Sequence, residues 1–316
     1  MEIRTLGSSM LKVTPIGLGT WVMGGWMWGG AEEQDGIDAI KISVERGITL
    51  IDTAPVYGFG KSETIVGKAL KELGCREKII LATKCGLEWD DNERVRRNCG
   101  KQRILQEIDD SLRRLQTDYI DLYQVHWPDK YTPFEETMGA MRELYEAGKI
   151  RAIGVSNYSV EQIEASAQFA PVHTLQPPFN LFEQDTAKEL LPYCFKHTIG
   201  TLTYSTLCSG LLTGKFTAKS QFSKGDLRKS DPKFKGERFQ MYLKAVDALK
   251  KFAQSKGSTV GQLAIEWAFN QNGVTCTLVG ARNAAQAAAN CSVLEKQCFS
   301  ADDFIEIGKI VNTIIK

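Results

Sequence analysis

No stretch of this 316-residue chain approaches the roughly 18 consecutive apolar residues that a bilayer-spanning helix needs. The opening Met1-Glu2-Ile3-Arg4-Thr5 also lacks the basic-then-apolar layout of a secretory leader. A membrane anchor is therefore not expected, and a cytoplasmic location is. An excess of one charge sign is missing too: 39 lysines and arginines face 38 aspartates and glutamates, a formal net charge of +1. Dedicated binders of nucleic acid or anionic lipid usually carry a strong basic excess or stripe, so neither partner is expected. Histidine is scarce, with three in all, and the eight cysteines form no C-x-x-C pair and no Cys/His spacing suited to zinc. No metal is expected, and the cysteines read as reduced, mostly buried small side chains. Low-complexity tracts and linkers are absent as well. Residues 1–316 therefore read as one domain, with 43% hydrophobic content to build its core.

What the chain does have is alternation. After an opening that reads as a β-hairpin (about 3–6 and 11–14, turning at Gly7-Ser8-Ser9), short β-branched runs recur at 16–19, 48–52, 79–84 and 119–126. Four more follow at 152–156, 174–176, 200–204 and 275–279. Between them lie segments with apolar residues at helical spacing, such as Ile37, Ile40, Ile42 and Val44, or Ile104, Ile108, Leu112 and Leu115. Ser159 with Gln162 has the spacing of a capping box, and Ser300 before Asp302 and Asp303 marks the start of a last helix. Gly148 reads as a helix stop. Strand and helix repeated about eight times predict an α/β protein: a (β/α)8 TIM barrel with an N-terminal β-hairpin and a C-terminal extra helix. An open, doubly wound sheet is the alternative.

Four polar residues stand at or just past the ends of these runs. Asp52 closes the second, Tyr57 follows in the turn after it, Lys84 closes the third and His126 the fourth. In a parallel barrel these ends meet at one mouth. Free tyrosine, with a pKa near 10, is a poor acid at neutral pH; an ammonium beside it favours phenolate and lowers that pKa. Lys84 is expected to supply that charge, with Asp52 holding it ionised and oriented. A neutral His126 can donate one ring N–H to a carbonyl oxygen, while Tyr57 gives its proton as charge grows there.

Two glycine-rich stretches mimic nucleotide motifs and fail. Gly17-Leu18-Gly19-Thr20-Trp21 has Val22 where a dinucleotide fingerprint needs its third glycine. The run from Gly210 to Lys215 is a residue short of a P-loop and lacks the following Ser/Thr. One basic, weakly periodic segment, residues 216–238, interrupts the alternation after the seventh strand, with Gly225, Pro232 and Gly236 as breakers. Its Lys219, Lys224, Arg228, Lys229, Lys233, Lys235 and Arg238 outweigh Asp226, Asp231 and Glu237. It reads either as a solvated loop or as a flap over an anionic ligand.

The stretch from Leu50 through Asp52 to Tyr57-Gly58, followed by Ser62-Glu63, resembles the first motif of the aldo-keto reductases. The stretch from Leu115 to Tyr123 running into His126 resembles the second, and Gly148-Lys149-Ile150-Arg151 through Ser156-Asn157 the third. The resemblance spans essentially the whole chain. Within the family it is strongest to bacterial general-stress-protein reductases and weaker to potassium-channel β subunits, through the run from Gln176 to Leu181 and that from Gly210 to Lys215. It implies a (β/α)8 barrel, NADPH as hydride donor, carbonyl reduction, and for Asp52, Tyr57, Lys84 and His126 the roles argued above. The channel branch leaves cofactor sensing as an alternative function, and alcohol oxidation would use the same residues.

The resemblance also implies a cofactor site. Thr20, Trp21 and Asp52 border it. Ser156, Asn157 and Gln176 match positions that bond the nicotinamide carboxamide, and Tyr204 matches the ring stacked on the nicotinamide, or else merely caps the barrel. Ser205, Thr206, Leu207, Ser209, Gly210 and Lys215 match the pyrophosphate cradle. Gly280, Arg282, Gln286 and Asn290 match the adenosine end. Arg282, with Arg228 in support, favours a 2′-phosphate because a guanidinium fork suits phosphate. Thr206 stands where proline is frequent, Ser209 where a basic residue occurs, and Ala289 where a glutamate is common. Trp21, Trp28, Trp89 and Trp127, with Tyr57 and His126, are the expected substrate pocket, joined near the mouth by Trp26 and Phe59. The same rings also read as core packing. Small aromatic and aliphatic aldehydes are the expected substrates.

Overall fold

The computed structural model describes residues 1–30 and 32–315. The opening hairpin forms as an antiparallel pair, β1 (Arg4–Thr5) and β2 (Lys12–Val13). Every β-branched run expected to be a barrel strand supplies one: β3 (Ile16–Gly19), β4 (Leu50–Asp52) and β5 (Ile80–Cys85). Two short strands then intervene, β6 (Leu87–Trp89) and β7 (Val95–Arg97), before β8 (Leu122–Val125), β9 (Ile153–Ser156) and β10 (Thr174–Gln176). The set ends with β11 (Gly200–Thr203) and β12 (Cys276–Gly280). Strands β3, β4, β5, β8, β9, β10, β11 and β12 close in that order into a parallel barrel, β12 pairing back onto β3. The open sheet is thereby excluded.

Alternation within each strand sorts side chains to two faces. Leu50, Ala82, Leu122 and Leu202 fill the lumen with Leu6, Leu11 and Val13 of the hairpin. Their neighbours Ile51, Leu81, Tyr123 and Val125 pack outward beneath the helices. The hairpin lies at the strands' N-terminal end, where Ser8 N–H donates to the Thr198 carbonyl just before β11. By the same parity Asp52, Lys84 and Gln124 turn into the lumen, one layer nearer the other end.

Helix signals hold in detail. The expected apolar spacings lie on helices Glu33–Glu45 and Lys101–Leu115, whose Ile37, Ile40, Ile104 and Ile108 are buried. Ser159 and Gln162 form a reciprocal capping box, and Ser300 bonds Asp303 in the same manner ahead of helix Ala301–Ile315. That last helix packs on Gly236–Ser255. Gly148, at φ +74°, follows helix Phe134–Glu146.

Two expectations need correction. The β6–β7 hairpin went unforeseen because its strands are short and charged, with Glu88, Arg96 and Arg97 in place of β-branched residues. Gly236, read as a breaker, opens the 20-residue helix Gly236–Ser255 instead; with φ +53° it serves the entry to the helix rather than its interior. The basic segment keeps Lys219, Lys224, Lys229, Lys235 and Arg238 exposed, as a solvated loop would, but it also has a packed centre. Phe216, Phe222 and Phe234 meet edge to face with centroids 5.0–5.7 Å apart, and Asp226 and Asp231 cap its two short 3-10 turns. Seven cysteines are buried, one is half-buried and all are free.

Candidate active site at the barrel mouth

The strand-end residues converge. Lys84 is wholly buried, and its three N–H bonds go to Asp52 Oδ2 (2.6 Å), the Thr53 carbonyl (3.0 Å) and the Tyr57 hydroxyl oxygen (3.2 Å). An ammonium has three donors, so all are placed. Because Tyr57 accepts from Lys84 and has no other hydrogen-bond partner among the described residues, its own O–H remains available to a ligand. Tyr57 reaches this position through a close approach of two glycines. A β-carbon on Gly24 would fall 2.3 Å from the Tyr57 carbonyl oxygen, and one on Gly58 2.2 Å from the Gly24 oxygen. Bare backbone at both sites lets helix Trp21–Gly24 seat against the turn and stacks Trp21 on Tyr57, centroids 5.8 Å apart.

His126 stands edge-on to Tyr57 at 5.8 Å. Burial, aided by the Lys84 charge, holds its imidazole well below the ordinary histidine pKa, so the ring is neutral. Lys84 is lowered by burial, with Asp52 opposing. Tyr57 departs from expectation. Burial, and then the Asp52 charge, push its phenol well above the usual value. Asp52, expected only to hold Lys84, also opposes its charge at the phenol, and burial outweighs what remains. Tyr57 is therefore protonated at rest, a proton store rather than an acidified phenol.

A second layer holds this one. Asp52 Oδ1 accepts from Gln176 Nε2 (2.9 Å) and Gln124 Nε2 (3.1 Å). Gln124 escaped the sequence reading; its only signal is a buried amide two residues before His126 in an apolar strand. Gln176, whose amide N–H groups turn toward Asp52 and Gln124, keeps its oxygen as its free acceptor. Asn157, at φ +63°, donates to the His126 carbonyl and to Ser156 Oγ and accepts from the Tyr204 hydroxyl at 2.8 Å. Ser156 donates to the Gln176 carbonyl. Thr20 and Thr206 are both committed inward, Thr20 to Ser62 and the Asp52 carbonyl, Thr206 to Thr277 and the Leu278 carbonyl. Neither hydroxyl is left for a cofactor.

Past β11 the backbone turns left-handed at Ser205, Cys208, Ser209 and Gly210. Non-glycine residues rarely hold such angles without a reason at the site. Leu207, between them, packs into the core. Arg228 lies beside this turn, its Nη1 3.8 Å from where a Gly210 β-carbon would stand. The guanidinium is packed among Trp28, Phe216 and Phe222, and Asp226 takes its Nε at 2.8 Å and also its Nη2. Nη1 has no hydrogen-bond partner among the described residues. Lys215 and Arg282 are close enough that, after burial, repulsion from Arg228 lowers both. Burial raises Asp226, but the Arg228 hydrogen bonds win and hold it below the usual carboxylate range. Three cations around one carboxylate, beside a half-buried left-handed turn, suit an anionic dinucleotide. Arg282 Nη2 donates to the Trp28 carbonyl (2.6 Å) and its backbone N–H to Gln286. Asn290 donates to the Gly280 carbonyl.

The aromatic wall divides. Trp28 meets Trp21 edge-on at 5.3 Å, next to Tyr57. Trp26, Phe59 and Trp89 form a second chain of rings at 5.2 and 5.5 Å. Trp127 instead lies under the Arg97 guanidinium, 5.0 Å away, so the ring nearest His126 in sequence is tied to the β6–β7 hairpin.

Comparison with known proteins points to one family. A model of the Aldo/keto reductase family matches residues 15–312. The aldo-keto reductase YhdN of Bacillus subtilis is 49% identical, covering 100% of this chain and 94% of its own. The NADH-specific methylglyoxal reductase of Escherichia coli is 35% identical over 96% of each. Among solved structures, the glycerol dehydrogenase of Gluconobacter oxydans superimposes with a TM-score of 0.91 at 42% identity, covering 99% of this chain and 96% of its own.

Proposed function

The chain belongs to the aldo/keto reductase family, and from that membership we propose that it reduces small aldehydes and ketones with NADPH, Tyr57 giving the proton. As a member it is an oxidoreductase acting on carbonyl groups. One observation carries the assignment of roles: a single buried ammonium, Lys84, bonds both Asp52 and the Tyr57 oxygen beside a neutral His126.

A nicotinamide cofactor, when bound, supplies the hydride. His126, uncharged, donates a ring N–H to the substrate oxygen and fixes its direction. As negative charge builds on that oxygen, the Tyr57 proton moves to it. Lys84, already donating to the phenolic oxygen, stabilises the phenolate left behind without reorganising. Asp52 keeps Lys84 charged through the step. The free Gln176 oxygen, with the remaining acceptor capacity of Ser156 Oγ and Asn157 Oδ1, would take the carboxamide amino group, and Lys215, Arg228 and Arg282 would take the phosphates. The indole N–H groups of Trp21 and Trp28, buried without partners among the described residues, leave two donors beside this chemistry. They suit a short substrate with a second oxygen, in keeping with the methylglyoxal and glycerol named for two relatives. The glycerol dehydrogenase likeness also favours the reverse reaction, alcohol oxidation, on the same residues.

The test follows NADPH absorbance with a panel of aldehydes and 2-oxo aldehydes. Turnover is expected with several, and Tyr57→Phe is expected to lower kcat by about 10²-fold or more with NADPH affinity nearly unchanged. Unaltered kcat in that variant would refute the proton-donor role. Tight NADPH binding with no turnover of any carbonyl by the unmodified protein would favour cofactor sensing instead.

A further inference from the structure

We infer that Gln124 is a positioning residue of this site: together with Gln176 it holds Asp52 Oδ1, and through Asp52 it keeps Lys84 charged and directed at Tyr57. The inference rests on the reductase reading above and extends it to a side chain that none of the family motifs identifies.

A buried carboxylate depends on the donors within its reach. Asp52 is 3% exposed, so water does not solvate it freely, and an ionised carboxylate in that setting needs hydrogen bonds on both oxygens. Oδ2 has Lys84 at 2.6 Å. Among the described residues Oδ1 has the two amides alone, Gln124 at 3.1 Å and Gln176 at 2.9 Å. Gln176 Nε2 also reaches Gln124 Oε1 at 3.2 Å, closing a triangle in which each amide fixes the orientation of the other. A glutamine with no exposed surface in an otherwise apolar strand would be costly without such bonds. The barrel makes room for it. Gln124 pairs in register with Lys84 on one side and Gly154 on the other. A β-carbon on Gly154 would fall 2.8 Å from Gln124 Cγ and 2.3 Å from Thr174 Oγ1. The bare backbone of β9 is what allows Gln124 to lie across the lumen between Asp52 and Gln176.

Without the Gln124 amide, Oδ1 keeps one donor and the carboxylate is less well solvated. Asp52 then supports the Lys84 charge less well, and Lys84 gives up its proton at lower pH. The other groups that bear on this cluster are Tyr57 and Glu63 on the β4 side, His126 at the end of β8 and Cys276 on β12. None of them is hydrogen-bonded to Oδ1, which takes its donors from Gln124 and Gln176.

Two variants of the full chain test this. Gln124→Met keeps length and volume and removes the amide; Gln124→Glu keeps the shape and donates one O–H only while protonated. For Gln124→Met we expect native circular dichroism, NADPH affinity within about twofold, and kcat lower by roughly tenfold. The alkaline limb of its kcat profile should move down by about one pH unit. In Gln124→Glu, burial and the adjacent Asp52 carboxylate should raise the new carboxyl well above its ordinary value of about 4.3, so the variant should recover most of the kcat at pH about 6 and lose it by pH about 9 as that carboxyl ionises. A measurement independent of turnover accompanies them: the Lys84 side-chain carbon resonance in lysine-labelled protein, identified by its loss in Lys84→Met, should titrate at lower pH in Gln124→Met. An unchanged Lys84 titration overturns the inference, whether kcat falls or not, since a fall alone would mark a packing role. If Gln124→Met does not fold, the Lys84 titration in Gln124→Glu decides in the same way. Should the unmodified protein reduce no carbonyl, the reductase reading fails by itself and the Lys84 titration still decides the role of Gln124.

Discussion

Burial acts on Tyr57 and His126 in opposite chemical directions that serve one purpose. It keeps the phenol protonated and the imidazole neutral, so both can act as hydrogen-bond donors, as the proposed reduction requires. The same logic governs the far end of the site, where Arg282 lies beside Arg228 and Lys215 and, among the described residues, its side chain donates to the Trp28 carbonyl alone. A guanidinium held among like charges gains most from an added phosphate. Arg282→Ala is expected to raise the dissociation constant for NADPH by about 10- to 30-fold, or 1.4–2 kcal/mol, and that for NADH by no more than about twofold. Titration of protein fluorescence with each cofactor checks it, and equal losses for the two would argue against phosphate recognition. The relative named as NADH-specific makes this comparison the decisive one for cofactor choice.

Strands and helices place these groups, and one helix does so through a titrating contact. Glu107 of helix Lys101–Leu115 accepts the backbone N–H of Gly86 at 2.9 Å, two residues beyond Lys84, while Arg103 stands 3.3 Å from its other oxygen. Burial pushes the Glu107 carboxyl from 4.5 to about 7, with Arg103 opposing. A folded pKa raised above the unfolded one adds stability that is complete below pH 4.5 and is lost as pH rises through about 7. The loss amounts to on the order of 3 kcal/mol. Glu107→Gln is expected to flatten the decline of Tm between pH about 5 and 8, while Glu266, also raised to about 7, retains its share. Melting curves across that range give the answer, and parallel slopes for variant and unmodified protein would contradict it.

At the scale of the molecule, the barrel is closed below by the hairpin and open above at the site. Leu6 is 0% exposed and shares one cluster with Leu50, Leu122 and Leu202 across the lumen. Leu6→Ala removes a side chain from the floor on which the polar layer of Asp52, Lys84 and Gln124 rests, with little freedom for the strands to collapse. A loss of about 2–5 kcal/mol is expected, read as a lower denaturant midpoint. A midpoint unchanged within error would mean that the hairpin does not seal the barrel.

Residue types and spacings along the chain already determined the strand–helix alternation, the helix caps at Ser159 and Ser300, and the placement of Asp52, Tyr57, Lys84 and His126 at one mouth. Those are local properties: hydrophobic period, hydroxyl-to-amide reach, and the fact that parallel strands end on the same side. The β6–β7 hairpin was illegible because three-residue charged strands carry no period. Gln124 was illegible because an amide's value depends on what lies across the lumen, here Asp52, Gln176 and the space over Gly154. Only the tertiary structure decided that burial and the Asp52 charge leave Tyr57 protonated, and that Arg228 is already held by Asp226. Charge–charge interaction and desolvation depend on distances through space, and these appear only once the barrel has closed.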